Sequence, residues 1–135
     1  MTPLSEFNQA LRHALSLALH EPEEALDVLR RTLVKARAQG NRSAISQLAR
    51  HAAVASVRTG DLPGALGLYE EALAIDPTDS LLHLAIGGIH REIGQYDEAR
   101  SAFERGLRWA TQEGEVELIS RFHELQAELD DDAQR

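Results

Sequence analysis

The 135-residue chain has no cysteine, which rules out disulfide frameworks, thiolate metal sites and cysteine nucleophiles. Only four prolines interrupt it, aromatics make up 4% of it, and long runs of Val, Ile or Thr are missing, a combination that favours helix over strand. Lysine is nearly absent, with thirteen Arg against the single Lys35. Together with abundant Ala and Leu, that bias points to a GC-rich bacterial genome through codon usage. Positive charge is in deficit, the formal net charge being -8. Broad phosphate neutralisation, and with it nucleic-acid binding, is therefore not expected. Near the start, Arg12, His13, His20 and Glu21 break the Leu-rich stretch, so neither a signal peptide nor a membrane-spanning helix is expected. These features predict a soluble, cytoplasmic, all-α protein, and a single domain of this size buries roughly two thirds of the surface it exposes when unfolded.

What is present is a pattern that repeats. Sliding the chain by 34 residues lays Gly60 on Gly94, Leu62 on Tyr96, Ala65 on Ala99, Tyr69 on Phe103, Ala72 on Gly106 and Leu73 on Leu107. The same shift lays Ala49 on His83, Ala52 on Ile86, Ala53 on Gly87 and Ser56 on His90, each set spaced as one face of a helix. Each unit thus holds two helices, broken near Gly60 and Gly94. Small residues at Ala53, Gly87, Ala65 and Ala99 allow helices to approach closely, and Tyr69 and Phe103 fill the adjoining space. Pro77 stops one helix, Thr78 or Asp79 caps the next, and Pro63 sits in a first turn where its missing N–H costs little.

This order of small, aromatic and Pro positions in 34-residue helix-turn-helix units resembles the tetratricopeptide repeat family. The resemblance is carried by residues 46 to 79 and 80 to 113, with Thr111 at the terminal Pro position of the second unit and Ala49 and His83 at the early Trp position. A looser copy covers residues 21 to 41: Ala25 matches Ala99, Leu29 matches Phe103, Leu33 matches Leu107 and Gly40 matches Gly114. Seven helices are expected, at about 4 to 19, 22 to 38, 42 to 58, 62 to 75, 80 to 93, 96 to 111 and 115 to 129. They make three units (4 to 41, 42 to 79 and 80 to 113), a capping helix at 115 to 129 and a frayed acidic tail at 130 to 135. The resemblance implies a short right-handed α-solenoid.

No constellation for catalysis is legible. There is no HExxH, no GxSxG and no phosphate-cradling Gly-rich loop. The pairs His13/His20 and His83/His90 stand seven residues apart, about 10 Å along a helix, too far to share one metal ion, and the second pair falls on a packing face. Gly87 and Gly88 lie within a helical pattern, where close packing and an open surface account for them. Glu70, Glu71 and the run from Asp130 to Asp132 read as solvated carboxylates without a facing partner. No enzyme activity, metal or cofactor is expected.

Function is expected at a surface. Gln47, Arg50, Val54 and Arg58 form a stripe opposite the packing face of their helix, and Leu81, Leu84, Gly88 and Arg91 repeat it one unit later. The family resemblance implies a concave groove along these first helices, continued by Arg121 and Glu124, that takes a peptide or helix of another protein. In that reading Leu81 and Leu84 supply burial, and Arg50, Arg58 and Arg91 engage acidic groups. Val54 and Gly88 stand where the family's clamp for a C-terminal carboxylate would place Asn. The leading expectation is a non-catalytic adaptor or scaffold. The alternatives are a self-assembling homo-oligomer, since Leu4, Phe7, Leu11, Leu15, Leu17 and Leu19 spread over more than one face of the first helix, and a sensor of a small ligand or signalling peptide.

Overall fold

A computed structural model describes residues 3–135, the side chains from residue 6 onward, so Leu4 lies outside the described side chains. Seven helices appear in the expected order: α1 (Pro3–Leu17), α2 (Pro22–Gln39), α3 (Arg42–Arg58), α4 (Leu62–Ile75), α5 (Ser80–Glu92), α6 (Tyr96–Glu113) and α7 (Val116–Gln134). They form two compact units that part after Ile75, where Pro77 cannot continue α4.

In the first unit each helix packs on the next, and α1 also reaches α3. Its interior is built from small and branched residues, among them Ala25, Leu29, Leu33, Leu48, Ala52, Ala53, Ala65 and Ala72. The alanines that the repeat register singled out are fully buried, which lets helix backbones come close. Glu71 is not a solvated carboxylate, as the sequence implied. Arg37 on α2 grips it with both forks, at 2.7 and 2.6 Å. Their separation of 34 residues hides this bidentate pair from any local pattern. Asp27 and Arg31 pair one turn apart on α2, at 3.1 Å.

In the second unit α5 packs on α6, α6 on α7, and α5 touches α7. The core is aromatic: Phe103 and Phe122 are fully buried and meet edge to face, with centroids 6.3 Å apart. Each ring rests on a glycine of the preceding helix. A Cβ at Gly87 would fall on the Phe103 ring, and one at Gly106 on the Phe122 ring. His83 is buried, and its Nε2 donates to the Pro77 carbonyl at 2.9 Å, pinning the start of α5 to the turn before it. His90 meets Gln95 at 2.7 Å through Nδ1. Both histidines therefore have structural roles.

The glycines that the register paired, Gly60 with Gly94 and Gly40 with Gly114, all have positive φ and end α3, α5, α2 and α6. At Gly40 the left-handed residue brings the Asn41 N–H back to the Ala36 carbonyl at 3.1 Å, closing the helix end. The stretch from 130 onward departs from expectation. It continues α7 to Gln134 instead of fraying. Arg100 holds Asp130 at 3.0 Å and Arg91 holds Asp132 at 2.6 Å, offsetting the repulsion among neighbouring carboxylates, and buried Leu129 anchors the turn before them.

Candidate binding surface

Of the ten surface residues read from the sequence, Gln47, Arg50, Val54 and Arg58 lie on α3 in the first unit. The other six lie on α5 and α7 in the second. The α3 stripe forms because the opposite face of that helix is its alanine seam, buried at Ala49, Ala52, Ala53 and Ser56. Gln47, Val54 and Arg58 are exposed, and Arg50 is half-buried with its Nε on Ser46 Oγ at 3.2 Å.

Val54 and Arg58 border an apolar cavity of about 290 Å³ whose other walls come from Leu15 and Ala18 near the end of α1, Leu29 on α2, and His51 on α3. Arg58 donates Nη1 to the Ala18 carbonyl at 3.1 Å, clipping the α1–α2 turn onto α3. His51 was not singled out from the sequence. Burial, followed by the neighbouring Arg50 charge, holds its imidazole below the usual histidine range, so the neutral ring faces the cavity. An adjoining open cavity of about 480 Å³ is edged by Glu21, Glu23 and Glu24 and shares Arg58. A hydrogen bond with Glu21 and its charge push the Glu24 carboxyl upward. The cavity's α1 wall was hidden because the leucines there follow no single stripe.

In the second unit Leu81 is 54% exposed, whereas Leu84 is half-buried against the Phe103 and Phe122 cluster. Leu81 is therefore the freer apolar residue. No atom lies within 4 Å of where a Cβ on Gly88 would stand, so the surface above it is open. Arg91 does not face outward as a spare cation. Its Nε donates to Asp132 at 2.6 Å and its Nη1 to Glu128 at 2.7 Å, and those two carboxylates raise the affinity of its guanidinium for its proton. The structure also brings Arg121 onto Glu124 at 3.2 Å, with Glu128 at 3.9 Å. Spacing alone could not reveal the pairings of Arg91, whose partners lie 37 and 41 residues away.

Among the described residues no group of three or more His, Cys, Asp or Glu is arranged to hold a metal ion. No helix among them is long and apolar enough to cross a membrane.

Comparison with known families places this arrangement. One tetratricopeptide repeat family model matches residues 57–129 and another matches residues 11–80. The chain belongs to the tetratricopeptide repeat family. The TPR domain of Arabidopsis FLU has a TM-score of 0.74 at 18% identity, over 82% of this chain and 99% of that one. The Sgt2 TPR domain from Aspergillus fumigatus has a TM-score of 0.76 at 22% identity, over 96% and 82%. The first TPR of Spaghetti (RPAP3), bound to an HSP90 peptide, has a TM-score of 0.69 at 16% identity, over 91% and 94%. No curated protein matches the chain. At these identities the structural likeness establishes the all-α TPR fold.

Proposed function

We propose that this TPR chain is a non-catalytic adaptor or scaffold that binds a peptide or helix of a partner protein on the exposed faces of its repeats' first helices. In the first unit the binding face comprises Gln47, Arg50, Val54 and Arg58. In the second it comprises Leu81, Leu84 and Gly88, bordered by Arg91, Arg121 and Glu124. The observation that carries this reading is the apolar surface left uncovered on those faces: the cavity beside Val54 and the exposed Leu81. The peptide-bound TPR domain among its structural neighbours supports the same reading. The composition, free of cysteine and poor in lysine, supports a place in a bacterial cytoplasm.

Affinity capture from a lysate tests it, comparing the native chain with Leu81→Ser. That substitution is on the surface and is expected to change stability by less than about 0.5 kcal/mol. Loss of a burying leucine weakens a partner by roughly 1.5 to 3 kcal/mol, so a protein retained by the native chain and released by the variant supports the proposal. Identical retention by both chains sinks the assignment to this face. The exposed Leu15 near the end of the first helix and Leu19 in the turn after it favour self-association as the second reading. A concentration-independent dimer in light scattering, abolished by Leu15→Ser, would establish it.

A further inference from the structure

We infer that the α5–α7 face takes a basic segment of the partner, one that sets an apolar side chain over Leu81 and Leu84 and a Lys or Arg against Glu128 and Asp132. This rests on the interaction-module reading and supplies the chemistry that reading leaves open.

The cations on this face already have acidic partners. Arg91 donates to Asp132 and Glu128, and Arg121 to Glu124, with Glu128 also near. Three carboxylates thus surround two guanidiniums. An incoming carboxylate meets guanidiniums whose charge is already matched, and it would add a fourth carboxylate beside three. An incoming ammonium or guanidinium breaks nothing. Each carboxylate accepts several hydrogen bonds, and Glu128 remains exposed.

The apolar end is equally specific. Leu81 is more than half exposed, and the open surface over Gly88 leaves a shallow step between it and Arg91. Ten residues of one helix separate Leu81 from Arg91, about 15 Å at 1.5 Å per residue. The occupant therefore carries its apolar and basic groups about ten residues apart on a helix, or four to five apart in an extended strand.

Charge over the longer range agrees. Residues 1–75 contain eight acidic and eight basic side chains, whereas residues 76–135 contain fourteen acidic and six basic. The chain's whole negative excess belongs to the second unit. A cationic segment is steered there, and an anionic one is repelled.

The test uses the full chain and two fluorescein-labelled helical peptides. One carries two leucines a turn apart and, about three turns on, two lysines; its twin has glutamates for the lysines. Anisotropy titrations are expected to show the basic peptide binding at least roughly tenfold tighter than the acidic one. Its affinity should fall as NaCl rises from about 50 to about 500 mM. Glu128→Gln with Asp132→Asn is expected to weaken the basic peptide roughly tenfold and to narrow or reverse the preference, because Arg91 is set free. The buried Phe122, Leu125 and Leu129 keep α7 in place in that variant, and far-UV circular dichroism checks it. Equal or tighter binding of the acidic twin overturns the inference, as does an unchanged affinity of the basic peptide for the double variant. If the acidic twin binds and Leu81→Ser abolishes it, the interaction module stands and only its basic partner falls. If neither peptide saturates by about 1 mM, the basic partner also falls, and the capture experiment decides the module by itself.

Discussion

Gly87 and Gly88 are neighbours in α5 and do opposite work. A methyl group at Gly87 lands on the fully buried Phe103 ring, while one at Gly88 meets open space. Gly87→Ala is therefore expected to destabilise the fold by about 1 to 3 kcal/mol through overpacking. Gly88→Ala is expected to stabilise it by up to about 1 kcal/mol through better helix propensity. Urea unfolding of the pair checks both signs, and a stable Gly87→Ala protein would mean that the ring has somewhere to go. His51 supplies a second prediction. Its folded-state pKa lies below the ordinary value because burial and Arg50 disfavour the imidazolium. Its contribution to stability is thus present above the unfolded value, about 6.5, and is lost as pH falls through the lower folded one. His51→Gln should lose less stability than the native chain between pH about 7.5 and about 5.5, and parallel pH profiles would refute this origin.

Helix α7 shows how an element is extended by contacts remote in sequence. A run of three aspartates is a poor end for a helix, because carboxylates there face the negative pole of the helix dipole. Arg91 and Arg100 hold two of the three, and α7 runs on to Gln134. Arg91→Ala is expected to speed amide hydrogen exchange over residues 128–134 while leaving α6 protected. The cost in global stability is about 1 kcal/mol, since the pair is partly exposed. Unchanged exchange in that turn would show that Leu129 alone suffices. The caps of α3 and α5 work over shorter distances, with Asn41 accepting from the Ala44 N–H at 3.2 Å and Asp79 from the Leu81 N–H at 3.0 Å. Both were expected sites of helix entry or close to them, because capping depends on residues within one turn.

For the molecule as a whole, the unequal partition of charge is the leading feature. With the negative excess gathered in residues 76–135, self-repulsion opposes folding there, and salt relieves it. Raising NaCl from about 20 to about 500 mM should raise the thermal midpoint of the native chain. A fall would show that ion pairs such as Arg91 with Asp132 outweigh the repulsion. The number and order of helices, their boundaries to within a few residues, the paired glycine stops and the family were all legible in the chain. Helix periodicity, capping and left-handed glycines are local, and a repeated unit states its packing face twice. The ion pairs of Arg37 with Glu71 and of Arg91 with Asp132, the cavity beside His51 and the continuation of α7 were decided only in three dimensions. Each depends on side chains from separate helices, and the strength of a charge contact is set by distance and burial that no spacing records. The same physics decides the chemistry of the binding face: Arg91 reads along the chain as a cation waiting for an acid, and in the folded protein it is already matched.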